Sequence, residues 1–210
     1  VITIKPEQRV SIEQDGTDGA DQHDLQADIL NQARLHEPPD KGRNRGQDDF
    51  DIHPCGTDGC SIPTWAAPLD SIAKGFASMA SGQGLADEFV TPAQQLFDAA
   101  TGDPFLVAGT GTIDTDLMTA FKGDLMLKIG AEGVFCGALR SKGLGFALKC
   151  DDGNIRAVEP MVSAVIRAVS SPNATQTAAL DARQVQVMKN WRGLEVATLR
   201  ATDAVAASFN

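Results

Sequence analysis

Residues 124–149 read DLMLKIGAEGVFCGALRSKGLGFALK. They hold three short apolar runs, Asp124 to Ile129, Val134 to Leu139 and Leu144 to Lys149. Gly130-Ala131-Glu132-Gly133 separates the first two and Arg140-Ser141-Lys142-Gly143 the second two. Links this short join antiparallel neighbours, because a parallel crossover needs a dozen or more residues. The turn Asp151-Asp152-Gly153-Asn154 follows and leads to a helix through Val158, Met161, Val162, Val165, Ile166 and Val169. Pro160 falls early in that helix, where it bends or delays it. Around Leu194 to Leu199 a last short strand is expected to complete the same sheet.

Upstream the spacing turns helical. Pro68-Leu69 opens a helix with apolar residues at Leu69, Ile72, Ala73, Phe76 and Ala80. A second helix is predicted from Pro92 to about Ala100, and Thr112 or Asp114 caps a third through Leu117, Met118 and Phe121. Helices, then a meander, then a helix and a strand argue for an α+β fold, an antiparallel sheet flanked by helices.

Composition breaks near residue 53. Residues 1–52 crowd Asp, Gln, Glu, Gly and Arg together with little apolar periodicity, which predicts a polar, acidic segment that is disordered or divergent. A weak helix through Leu25, Ile29, Leu30 and Ala33 is its one regular feature, followed by a turn or linker at His36 to Gly42. Residues 53–210 read as one globular domain. The formal net charge of -10 repels a phosphate backbone, and no basic run offsets it, so nucleic-acid binding is not expected. No run approaches the ~18 apolar residues of a membrane helix, and the N-terminus lacks a secretory pattern. A cytoplasmic protein with no membrane partner and reduced or metal-bound cysteines is the expectation.

Asp58-Gly59-Cys60-Ser61-Ile62-Pro63-Thr64, Val107-Ala108-Gly109-Thr110-Gly111 with Asp114-Thr115, Lys128 to Val134, and Ala147 to Gly153 stand in that order. Together they resemble the asparaginase II family, whose fold is similar to serine β-lactamases and glutaminases. The resemblance covers roughly residues 54 to 195, the C-terminal portion of such a protein, so that an N-terminal half is expected to be lacking. It implies hydrolysis of L-asparagine to L-aspartate and ammonia, with a small-molecule substrate and no required cofactor. The alternative is a non-catalytic remnant of the fold that binds a small amino acid or zinc.

That chemistry needs a nucleophile, a proton acceptor and an electrophilic pocket for the tetrahedral oxyanion. The family's nucleophile resembles the serine of a Ser-x-x-Lys motif upstream of Asp-Gly-Cys. Here the only Ser-x-x-Lys is Ser71-Ile72-Ala73-Lys74, downstream of it, and both residues are read as solvent-facing. Lys128 with Gly130 is similar to the Lys-x-Gly box of penicillin-recognising enzymes, a cation at a strand end with a glycine that lets substrate approach the backbone. Ile129 takes the place of the box's hydroxyl residue. Glu132, in the turn, is expected to hold the substrate ammonium, to pair with Lys128, or to stand as a solvated turn residue. Asp58 and Ser61 are assigned to substrate binding, and Lys189-Asn190 to a second lysine of the site or to a surface charge.

Zinc is the metal that the resemblance implies, on Cys60 and on Asp114 in place of a second cysteine. Cys60 fits equally a small buried hydrophobe. His53 and Cys55 are spaced from Cys60 in no standard zinc pattern. At Thr112 an arginine is usual in the family, and its loss weakens carboxylate recognition or an ion pair. Asp151-Asp152 is read as a turn and cap rather than a catalytic pair. Gly109-Thr110-Gly111 lacks the context of a dinucleotide loop. A homodimer is the remaining expectation about partners.

Overall fold

The computed structural model describes residues 10–13, 55–57, 59–61, 63–65 and 67–203. The expected helix near Leu25, the turn after it and Asp58 lie outside the described residues. In chain order the elements are β1 (Val10–Glu13), β2 (Cys55–Thr57), β3 (Pro63–Trp65), α1 (Leu69–Ser81), α2 (Asp87–Gly102), α3 (Pro104–Ala108) and α4 (Ile113–Phe121). Then follow β4 (Leu125–Ile129), β5 (Val134–Leu139), β6 (Leu144–Lys149), α5 (Val158–Val169), α6 (Ala174–Gln184), β7 (Val185–Lys189) and β8 (Glu195–Ala201). Mixed helices and small antiparallel sheets make this an α+β protein, as expected.

The three apolar runs form the antiparallel sheet β4-β5-β6, with Lys128 opposite Cys136 and Cys136 opposite Ala147. Side chains alternate between its faces. Leu125, Leu127, Phe135, Phe146 and Leu148 point into the main core with Leu117 of α4 and Val162 and Ile166 of α5. Cys136, Ala138 and Ala147 point the other way, toward Ala73 and Ala80 of α1. Helices thus cover both faces, which is why these strands are nearly continuous in apolar residues. At Gly145 the covering is tightest: an added Cβ would lie 2.1 Å from the Ala73 carbonyl oxygen and 2.6 Å from the Ala77 nitrogen. α1 therefore rides directly on the β6 backbone, and only glycine fits beneath it.

Helix α2 starts at Asp87, earlier than the predicted Pro92, which lies inside it. Acidic Asp87 and Glu88 favour the positive end of the helix dipole. Proline then removes the single bond that its nitrogen would make to Glu88, without ending the helix. Thr112 caps α4 by accepting from the Thr115 nitrogen at 3.3 Å. In α5, Pro160 occupies the first turn, where its nitrogen has no intrahelical acceptor to lose.

The final strand corrects the sequence reading. β8 does not extend β4-β5-β6; it forms a second sheet of order β1-β8-β7. An unexpected strand, β7, pairs with it through the turn Asn190–Leu194, closed by Asn190 nitrogen to Leu194 oxygen at 2.9 Å. β1, inside the segment expected to be disordered or divergent, takes its other edge. With both edges paired, β8 has none left for the first sheet, and α5 joins the two sheets instead, Leu199 entering the main core. Among the described residues no helix is long and apolar enough to cross a membrane.

Candidate active site at one end of the first sheet

β4 and β5 are joined by a turn in which Gly130 donates to the Val134 oxygen at 2.8 Å and Val134 to the Ala131 oxygen at 3.2 Å. Glu132 has φ 53° and Gly133 φ 71°, both left-handed. A Cβ at Gly133 would meet the Cys150 Cβ at 2.7 Å, so the turn needs glycine there for space as well as for conformation. The turn rests on the end of β6. Cys150 donates its N–H to the Gly133 oxygen at 2.9 Å, and the Lys149 ammonium donates to the Glu132 oxygen at 2.7 Å and the Cys150 oxygen at 2.8 Å.

Lys128 is exposed at the end of β4, and its ammonium donates to the Ile129 oxygen at 2.9 Å. Among the described residues it forms no ion pair with Glu132, which is itself exposed on the turn. Strand alternation puts Lys128 on the α1 side of the sheet with Cys136, and Lys149 on that side with Val134 and Ala147. Leu69, the first residue of α1, packs there too. The start of α1, Lys128, Glu132 and Lys149 thus share one end of the sheet.

Asp114 reaches the same end from the core. It lies in the first turn of α4, is 1% exposed, and its Oδ1 accepts from the Ile129 nitrogen at 3.1 Å. Burial pushes its carboxyl pKa up, against the lowering effects of the Asp114 and Ile129 N–H groups and of the Lys128 charge. The free edge of β4 is thereby satisfied beside Lys128 by a side chain rather than by another strand.

The zinc expectation meets this geometry directly. Asp114 is enclosed and committed to a backbone N–H, and among the described residues no three His, Cys, Asp or Glu side chains group as metal ligands. Cys60 is exposed, against the buried reading of it. Among the described residues the donors fall short of the three or four that a structural or catalytic zinc takes. Cys136 and Cys150 are buried thiols, with pKa pushed up to about 11 mainly by burial, and at this end they serve as packing.

The other expected residues are dispersed. Ser61 has φ 67° and is exposed on the segment that leads to α1. Lys189 ends β7 in the second sheet and pairs with Glu195 at 3.6 Å. Ser71 is exposed on α1, and Lys74 pairs with Asp70 at 2.9 Å one turn away. Asp152 behaves as expected, accepting from the Asn154 nitrogen at 2.9 Å and pairing with Arg156.

Two residues escaped the sequence reading. Lys149 stood within a quoted motif, yet its role depends on a turn from another strand. Arg183 of α6 pairs with Asp116 of α4 and Glu159 of α5 and donates to the Gly111 oxygen at 3.0 Å. Partial burial lowers its pKa, but the hydrogen bond to Asp116 and the charges of Glu159 and Asp116 outweigh that and raise it. It anchors the Gly109-Thr110-Gly111 loop, which Thr115 also holds by donating to the Gly109 oxygen at 2.6 Å. No local signal in the sequence joins these positions. Two clefts, of 590 and 210 Å³, open at the opposite end of the sheet around Arg140, Ser141 and Lys142 and contain none of the expected residues. In the larger, Arg140 is occupied by Asp98 at 2.6 Å and by the Phe97 ring at 4.1 Å.

In comparisons with known proteins, the family model described as L-asparaginase II matches residues 40–201. No curated protein matches the chain. The match spans all of α1 to β7 and β8 up to Ala201, including every residue of the Lys128 turn and its supports, and the chain belongs to the L-asparaginase II family.

Proposed function

We propose that the chain is an L-asparaginase-type amidohydrolase whose substrate site lies at the Lys128–Gly133 end of the first sheet. The observation that carries this is the family match over a hairpin that presents a cation at Lys128 and a carboxylate at Glu132 around a glycine-lined backbone. L-asparagine carries an ammonium, a carboxylate and a side-chain amide, and this end of the sheet offers charges of both signs.

In this reading Glu132 binds the substrate ammonium and Gly130 lets the amide approach the strand. An oxygen nucleophile adds to the side-chain amide carbon, and the Lys128 ammonium steadies the resulting oxyanion. Collapse breaks the C–N bond, the nitrogen takes the nucleophile's proton and leaves as ammonia, and water then cleaves the acyl ester, supplying the second carboxylate oxygen of aspartate and returning the nucleophile. Asp58 and Ser61, on the segment ahead of α1, complete the substrate contacts. Lys189 takes a place in the site only if the β7–β8 turn reaches it. Ser71 and Lys74 take no part, since the Lys74 ammonium is paired with Asp70 along the helix rather than with Ser71. The strand-end lysine followed by Gly130 supports kinship with the serine β-lactamase and glutaminase fold.

Ammonia release from L-asparagine by the purified chain tests the reading, with L-glutamine as the comparison substrate. Saturable release that falls about 100-fold in Lys128→Ala is expected, the usual size of losing an oxyanion donor. Folded protein that releases no ammonia, or release indifferent to Lys128→Ala, overturns it.

A further inference from the structure

The Lys149 ammonium spans two backbone carbonyls that belong to different turns. One is Glu132 on the β4–β5 turn, at 2.7 Å; the other is Cys150 at the end of β6, at 2.8 Å. Alongside it the Cys150 N–H donates to the Gly133 oxygen at 2.9 Å. The clamped residue is the unusual one of the turn: Glu132 is not glycine, yet it holds φ 53°. A left-handed glutamate costs backbone energy and stays only where its surroundings hold it. Against Gly133 and Gly153 the fit is close, with a Cβ at Gly133 only 2.7 Å from Cys150 and one at Gly153 3.6 Å from Glu132. Lys149 supplies the charged hydrogen bond across that junction, and no acid pairs with its ammonium among the described residues.

We propose that Lys149 is a positioning residue of the candidate site, fixing the β4–β5 turn against β6 so that Glu132 presents its carboxylate to the substrate ammonium. This rests on the functional reading above, because it takes Glu132 as a substrate contact. Lys149 acts through Glu132 and touches no substrate. The Lys149 charge is the feature that matters, so arginine, which keeps a cation and N–H donors at this position, is expected to preserve the clamp. Methionine, of similar length and uncharged, releases it.

The test uses the full chain with two measurements. Amide hydrogen exchange at Cys150 reports the docking of the turn, with the Val162 and Ile166 amides of α5 as the control for global folding. Lys149→Met should speed Cys150 exchange about tenfold while α5 is unchanged, and Lys149→Arg should stay within about twofold of the parent. Binding of L-aspartate, the product, is then measured by calorimetry in a double-mutant cycle. Lys149→Met and Glu132→Gln should each weaken binding about tenfold, and the double variant no further, because one residue acts through the other. If Lys149→Met loses the slow α5 amides, Lys149→Gln, which keeps N–H donors without charge, takes its place in both measurements. Unchanged Cys150 exchange in the uncharged variant, or binding losses that multiply, would overturn the proposal. A parent chain that ignores L-aspartate would instead count against the functional reading, and the exchange comparison would still decide whether Lys149 holds the turn.

Discussion

In the first sheet every residue of β5 from Phe135 to Leu139 is buried, whereas in the second β7 leaves Val185, Val187 and Met188 exposed and its turn carries Trp191 wholly in solvent. The first sheet is covered by α1 on one face and by α4 and α5 on the other. β8 is held between β7 and β1, and β7 by β8 alone, with α6 and α5 at one side. Both sheets are antiparallel and of three strands, so topology does not separate them. Coverage does. A strand packed on both faces ties its position to many side chains at once and can hold a charged turn still. A hairpin packed along one side depends mostly on its ladder.

Replacement of glycine should separate the two regions most. Gly145→Val drives a side chain into the α1 backbone and is expected to cost about 4 kcal/mol or more in urea unfolding. Gly193→Ala, at φ 77° in the β7–β8 turn with open space around it, should cost about 1 kcal/mol. Equal effects would mean that the two sheets are held alike. Arg183 links α6, α4 and α5 beneath β7, so Arg183→Met should cost about 2 kcal/mol by leaving the half-buried Glu159 short of a partner. A negligible loss would show that the three helices hold together without it.

Asp114 gives a smaller effect with a pH signature. Its folded pKa is raised, so its stabilising contribution is complete below the ordinary carboxylate value, ~4, and is lost as pH rises through the folded value. Asparagine stays neutral and keeps an acceptor for the Ile129 N–H. Asp114→Asn should therefore gain stability relative to the parent as pH rises through that window, by less than the Arg183 effect. A stability difference that is flat with pH would contradict the buried carboxylate. Smallest of all, Trp191→Ala should change unfolding by less than about 0.5 kcal/mol, because an exposed side chain leaves no cavity. A larger change would mean that the hairpin is packed against something.

These contrasts also mark what the sequence made legible. Residues 124–149 could be read because both faces of the sheet are covered, which makes apolar runs, and because its turns are rich in glycine. α1 was legible from Leu69, Ala73, Phe76 and Ala80 at helical spacing. α6 was not, because Leu180 is its only buried residue, although Asn173 and Gln176 formed a capping box that could have announced it. β7 was missed for the same reason, since exposure leaves no clear period in VQVMK. In the candidate site, Lys128, Gly130 and Glu132 could be grouped from the sequence because they are close in the chain. Lys149 and Arg183 were not, because their partners are brought in by tertiary structure from other strands and helices.

The substrate site is proposed to lie on the Lys128 turn of the well-packed sheet. Titration of ¹⁵N-labelled protein with L-aspartate tests it most directly, read as shifts of individual amides. Saturable shifts are expected at Gly130, Glu132, Gly133 and Cys150, absent in Lys128→Ala and unaccompanied by shifts at Val187 or Trp191. Shifts confined to the β7–β8 hairpin, or none in folded protein, would contradict the proposal.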